Sequence, residues 1–150
     1  MIYWLTGQPG HGKTTLSNLL KQKLEIIYKP LGKEIVQLDD VDLKELAINK
    51  DNYEREKINN AQIISEFCQN KQINVIVSLF SPYRQLREKF KKKMNYNIIE
   101  FYIHRGESSS DEYEAPQDNY FSVDTADDTP EESCKKMTDI LESVYGIDRR

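Results

Sequence analysis

The sequence predicts an α/β fold in which a parallel sheet of about five strands is covered by helices on both faces. Three observations carry that expectation. Strand-like and helix-like segments alternate from end to end, which makes successive strands run parallel through helical crossovers. The first strand-like run, IYWLT, breaks into GQPGHG, with three glycines in six residues directly ahead of a helical pattern. The chain has 150 residues, near the modal domain size, so a single domain over 1–150 is expected.

Each element follows from local pattern. Residues 2–6 read as a buried strand. A helix follows from Lys13 to about Tyr28, with Leu16, Leu19, Leu20, Leu24 and Ile27 on one face, and Pro30 and Gly32 end it. Residues 34–38 form a second strand running into acidic DDVD, with a short helix over 42–48. A longer helix spans about 52–70 and turns Ile58, Ala61, Ile64, Phe67 and Cys68 inward. INVIVSLF, 73–80, is the most β-prone stretch. SPYRQLREKFKKK then opens a helix with Pro82 at or near its first turn, and KFKKK reads as its solvated basic surface. A fourth strand covers 97–103 and a fifth 120–125. Thr129-Pro130-Glu131-Glu132 is a capping box with proline at the first helical position. It starts a last helix with Cys134, Met137, Ile140, Leu141 and Val144 on one face.

Composition narrows the function classes. Hydrophobic residues make up 38% and charged residues 31% of the chain, which suits a globular protein with a wet surface. The net charge of −4 gives no global field for nucleic acid or an anionic membrane. No apolar run approaches the ~20 residues that span a bilayer. The amino-terminal residues show no leader pattern, so a cytoplasmic protein is expected, with Cys68 and Cys134 as buried reduced thiols.

Chemistry concentrates at the strand ends. Gly7, four residues, Gly12, Lys13 and Thr14 make the spacing GxxxxGK[ST] between a strand and a helix, which is a phosphate-binding loop (P-loop). The glycines let backbone N–H groups turn inward, and the helix N-terminus adds partial positive charge. Gly7, Gln8, Pro9, Gly10, His11, Gly12, Lys13, Thr14 and Thr15 are therefore the candidate nucleotide-binding residues. Lys13 can reach the β- and γ-phosphates of ATP, and the Thr14 hydroxyl can ligate Mg²⁺. The fold class sharpens to a P-loop, nucleotide-kinase-like sheet.

Asp39, Asp40 and Asp42 follow the second strand, where a carboxylate faces the γ-phosphate. Asp39 is the candidate base or metal-water acid. The third strand ends in Ser78 rather than an acid, which points to a small-molecule kinase. Phe80, Ser81 and Pro82 come next, and Arg84 and Arg87 lie three apart on one helix face, able to hold anionic oxygens.

With these residues in place the chain resembles the adenylylsulfate kinases. These transfer the ATP γ-phosphoryl to the 3′-hydroxyl of adenosine 5′-phosphosulfate in sulfate assimilation. YWLTGQPGHGKTTL is similar to the family's opening strand and loop. QLDDVDLKEL is similar to its Leu-Asp-Gly-Asp-x-x-Arg segment. VIVSLFSPYRQLRE is close to its third strand and Ser-Pro-Tyr-Arg turn, and YEAPQDNYFSVDT to its Tyr-Glu-x-Pro and Asp-Thr. The resemblance implies Mg-ATP as phosphoryl donor, Lys13 and Asp39 as catalytic groups, and an acceptor side of Asp39, Lys44, Phe80, Ser81, Pro82 and Arg84. Arg105, which follows the fourth strand near the transferring phosphoryl group, is the third catalytic candidate, from its own position. It also implies a homodimer, common in the family.

The departures are as specific as the matches. Asp40 replaces the family's glycine, Val41 its second aspartate and Lys44 its arginine. Aligned without gaps from Ile58, the family's Arg-x-x-Asn pair falls on Glu54 and Lys57, and a one-residue slide brings Arg55 to the arginine position. HRGESSSDEYEAP stands where the family carries a much longer helical lid, so residues 104–119 are expected to form a short, mobile lid with Arg105 at its base. The altered pair keeps open an alternative acceptor, another small anionic nucleotide or sugar. The short lid keeps open a nucleotide-binding protein without turnover.

Overall fold

The computed structural model describes residues 1–48, 50–106 and 110–146. The strands are β1 (Ile2–Thr6), β2 (Ile35–Asp39), β3 (Asn74–Ser78), β4 (Ile98–His104) and β5 (Phe121–Asp124). The α-helices are α1 (Lys13–Tyr28), α2 (Asp40–Lys44), α3 (Tyr53–Asn70), α4 (Arg84–Lys93) and α5 (Pro130–Tyr145). The strands form one five-stranded sheet in the order β2-β3-β1-β4-β5, and every pairing is parallel. This is the predicted fold class. From β1 the chain passes to the edge strand β2, returns to β3 between the two, then crosses to β4 and β5 on the other side. The order therefore reverses beside β1, and the crevice beyond its C-terminal end is the natural ligand position.

The pleat of β1 divides two cores. Tyr3 and Leu5 face α1 and α5, packing with Leu16, Leu20, Leu24, Met137 and Leu141. Ile2 and Trp4 face the other layer, with Leu43 of α2, Ile58 and Ala61 of α3 and Phe90 of α4. Cys68 and Cys134 are both buried and neither is in a disulfide. Among the described residues no helix is long and apolar enough to cross a membrane.

Element edges shift by one to three residues, with instructive exceptions. The capping box opens α5 as expected: the Thr129 hydroxyl accepts from the Glu132 amide, and the Glu132 carboxylate accepts from the Thr129 amide. The short helix after β2 starts at Asp40, not 42, because Asp39 caps it and Asp42 Oδ2 accepts the Asp39 amide at 2.9 Å. Pro82 lies outside α4, whose N-cap is Tyr83. Phe67, expected inward, is 60% exposed, because the buried stripe of α3 runs through Ile58, Ala61, Ser65 and Cys68. Val144 of α5 is exposed as well.

KFKKK is not all solvated surface. Lys91 is fully buried, and its Nζ donates to Glu100 Oε1 at 2.8 Å and to the Asp118 carbonyl at 2.8 Å. Arg87 is buried beside it, with Nε donating to Glu100 Oε2 at 2.9 Å and Nη2 to the Glu114 carbonyl at 2.5 Å. These cations tie residues 113–119 to the sheet, so that part of the expected mobile lid is a strap. Tyr113 completes the anchor: it is buried, its ring lies under Arg87, and its hydroxyl contacts Thr6 Oγ1 at 2.9 Å. Glu107, Ser108 and Ser109 of the expected lid lie outside the described residues.

Candidate active site

Three glycines shape the loop between β1 and α1. Gly7 passes so close to β4 that a Cβ there would sit 2.1 Å from the Ile103 carbonyl oxygen. Gly10 and Gly12 take φ of +79° and +97°, which L side chains rarely adopt. Gly12 is the N-cap of α1, so the first amides of that helix point into the loop without internal partners. Lys13 is 8% exposed, and its Nζ donates to the carbonyls of Gly7 at 2.8 Å and Gln8 at 2.9 Å. Burial brings its pKa down to about 8, and nearby Asp40 pulls it partly back. A dehydrated ammonium beside unpaired amides is a receptor for an anion.

A cavity of about 510 Å³ opens from this loop. Pro9, Gly10, Gly12, Lys13, Thr14 and Thr15 form one side, and Asp40, Glu54, Lys57, Ser78 and Phe80 the other. A second cavity of about 210 Å³ lies across the loop, lined by His11, Thr15, Arg105, Thr125, Asp128 and Ser133 among others. The Thr125 hydroxyl donates to the His11 carbonyl at 3.1 Å and joins the two segments. Burial, then the charges of Lys13, Arg105 and His104, lower the His11 pKa.

The acidic segment divides its labour. Asp39 pairs in register with Ser78 and caps α2. Its pKa is raised by burial and by Asp42. Asp40 lines the main cavity and meets Lys57 Nζ at 2.5 Å, while Glu54 Oε2 lies 3.3 Å from the same ammonium. Burial alone would lower the Lys57 pKa, but the two carboxylates outweigh it and hold it raised. Ser78 Oγ is buried in this wall with no hydrogen-bond partner among the described residues.

The sequence-predicted residues are thus brought together unevenly. Pro9, Gly10, Gly12, Lys13, Thr14, Thr15 and Phe80 share the main cavity, and His11 and Arg105 share the second. Gly7 and Gln8 supply the carbonyls that hold Lys13. Ser81 is fully buried: it accepts from Trp4 Nε1 at 2.9 Å and donates to the Leu79 carbonyl, so its hydroxyl faces the sheet. Pro82 offers its carbonyl to the Glu114 amide, and Arg84 Nη1 donates to the Ala115 carbonyl at 3.0 Å. These two hold the strap. Lys44 is exposed and lines neither cavity. Sequence reasoning did not single out Asp128 and Ser133. Their only signal is their place around the Thr129 capping box, at the carboxyl end of β5.

The sequence model of the adenylylsulphate kinase family matches residues 1–121. The chain belongs to this family. A probable adenylyl-sulfate kinase of Archaeoglobus fulgidus is 34% identical over 105 residues, covering 67% of this chain and 64% of that protein. A cytidine diphosphoramidate kinase of Campylobacter jejuni is 32% identical over 106 residues, covering 68% of this chain and 59% of that protein. The matched segments thus span less than two thirds of these relatives' own length. The fold is similar to that of the Mycobacterium tuberculosis APS kinase CysC solved with AMPPNP and APS. That likeness has a TM-score of 0.70 at 17% identity and covers 94% of this chain and 96% of the other.

Proposed function

We propose that this family member is a P-loop kinase that transfers the γ-phosphoryl of ATP to a hydroxyl of a small nucleotide, with adenosine 5′-phosphosulfate as the first acceptor to test. The observation that carries the reading is the loop itself: unpaired helix amides and a dehydrated Lys13 facing a cavity large enough for reactants. The triphosphate lies along the loop amides, with Lys13 moving from the Gly7 and Gln8 carbonyls to the β- and γ-oxygens. Arg105, at the second cavity, neutralises charge that develops during transfer.

Mg²⁺ fits the donor set. Thr14 lies in the first turn of α1 and lines the main cavity, where its hydroxyl would hold the ion, and Asp39 lies at the facing strand end, in register with Ser78. Among the described residues no cluster of acids, histidines or cysteines forms a protein cage. That suits an ion bound mainly through phosphates and water. When bound, it neutralises charge on the transferring phosphoryl group. Asp39 would orient the acceptor hydroxyl and take its proton as the oxygen attacks the γ-phosphoryl group. The enzyme acts in the cytoplasm, and a second copy of the chain is its expected partner.

A second reading keeps the chemistry and changes the acceptor. The Asp40–Lys57–Glu54 wall favours it, as does similarity to a cytidine diphosphoramidate kinase. An ADP-release assay with Mg-ATP against a panel of nucleotides separates the readings. Release with adenosine 5′-phosphosulfate supports the first, and release with another nucleotide supports the second. Nucleotide binding without release from any acceptor removes both.

A further inference from the structure

Lys57 has 4% of its side chain exposed, yet it presents no uncommitted cation to the cavity. Asp40 and Glu54 both meet its ammonium, which also lies 4.5 Å from the Tyr53 ring centroid. One positive charge between two carboxylates leaves the group at −1. Both carboxylates remain partly open, at 55% and 30% side-chain exposure. Glu54 Oε2 is itself buried and held by Lys57 at 3.3 Å, so the exposure of Glu54 lies in the rest of its side chain. Ser78 Oγ, in a residue 3% exposed that lines the same cavity, has no hydrogen-bond partner among the described residues.

The cavity is therefore polarised. Its loop side offers N–H donors and the Lys13 ammonium, which suits phosphates. Its α3 side offers carboxylate oxygens and a net negative charge. An oxyanion pressed against Glu54 and Asp40 is repelled in a partly dehydrated space where charges are weakly screened. An N–H group there meets carboxylates that are still partly open, and a hydrogen bond to an ionised partner is among the stronger kinds.

We propose that Asp40, Lys57 and Glu54 select an acceptor nucleotide whose end facing α3 carries N–H donors, an amine or amidate, in place of a sulfonate or phosphate oxyanion. The inference rests on the kinase reading for the word acceptor. The ligand chemistry rests on the wall alone.

The test uses the full chain with its loop saturated by a non-hydrolysable ATP analogue and Mg²⁺. Calorimetry compares matched ligands: cytidine 5′-diphosphate with its terminal amidate, and adenosine 5′-phosphosulfate with adenosine 5′-diphosphoramidate. On the nucleoside that binds, the amidate is expected to bind at least about tenfold tighter. Glu54→Gln, which removes the charge and keeps the shape, should narrow that gap to about threefold or less. Equal or tighter binding of the oxyanion partner overturns the proposal, as does failure of all four ligands to bind. The wild-type pairs decide the matter even if the variant fails to fold. An unchanged gap in folded Glu54→Gln overturns the role of Glu54. Product formation with ATP in parallel samples reports on the kinase reading separately. Amidate preference without transfer removes the kinase and keeps the selective wall, and transfer without preference does the reverse.

Discussion

Beneath β4, Arg87 and Lys91 share Glu100; beside the loop, Asp40 and Glu54 share Lys57. Both clusters set one charge between two of opposite sign, and in the first Lys91 also meets Glu88 Oε1 at 2.9 Å. They differ in access. The side chains of Arg87, Lys91 and Glu100 are each 2% exposed. Their remaining donors reach the carbonyls of Ser81, Glu114, Asp118 and Asn119. That cluster lines neither cavity, and its effect is to hold the strap over the sheet. In the Lys57 cluster the cation is buried, but Asp40 and Glu54 line the main cavity with 55% and 30% of their side chains exposed. A mixed-charge cluster closed over by backbone carbonyls is frame; one whose carboxylates open onto a cavity is a site.

The sharpest way to break this contrast is Glu100→Ala. It leaves buried Arg87 without a carboxylate and Lys91 with Glu88 alone, and should cost about 3–5 kcal/mol in urea unfolding. A loss under about 1 kcal/mol would mean that water reaches the cluster and that it is not frame. Next in size is Asp39→Asn, which keeps a residue type that caps α2 well. Turnover should fall by about 10²-fold, or ~2.7 kcal/mol of barrier, while Mg-ADP still binds. Near wild-type kcat would move the acid's role to Asp40.

Lys13 gives a smaller effect with a definite sign. Its pKa is lowered to about 8 in the folded protein, so between there and its ordinary value of about 10.4 the unfolded chain holds more protons. Lys13 alone therefore makes stability rise with pH across that window. A phosphate beside it favours the charged form, so nucleotide affinity should drop about tenfold per pH unit above 8. Calorimetry near pH 8.5 in two buffers of different ionisation enthalpy should reveal proton uptake, and none would place the ammonium outside the phosphate site. The smallest effect belongs to Asp40→Asn. Its side chain is more than half exposed and Glu54 still faces Lys57, so unfolding should change by less than about 1 kcal/mol. A cost like that of Glu100→Ala would erase the distinction between the clusters.

What the sequence made legible was local. The loop could be read because strand, glycines, lysine and helix are contiguous, and the parallel sheet because alternation leaves few other solutions. The frame cluster was hidden because its charges sit in KFKKK and in NIIEFYI, segments that individually read as surface and core. A lone Glu100 inside a buried strand was the available signal, since it requires buried cations. The bonds of the Ser81 hydroxyl could not be read because its partner, Trp4, lies 77 positions away in the sequence. Glu54 and Lys57 were visible as departures from the family pattern. Only the fold brings Asp40 against them and turns a substitution into a charged wall.

The central claim is that the loop and Lys13 form a nucleotide phosphate site. Its most direct test is the melting temperature of wild type and Lys13→Ala with and without Mg-ADP. At 100 times the dissociation constant, wild type should gain about 2.7 kcal/mol of stability, and Lys13→Ala little or none at the same concentration. Equal gains in the two proteins, or none in wild type, would contradict the account.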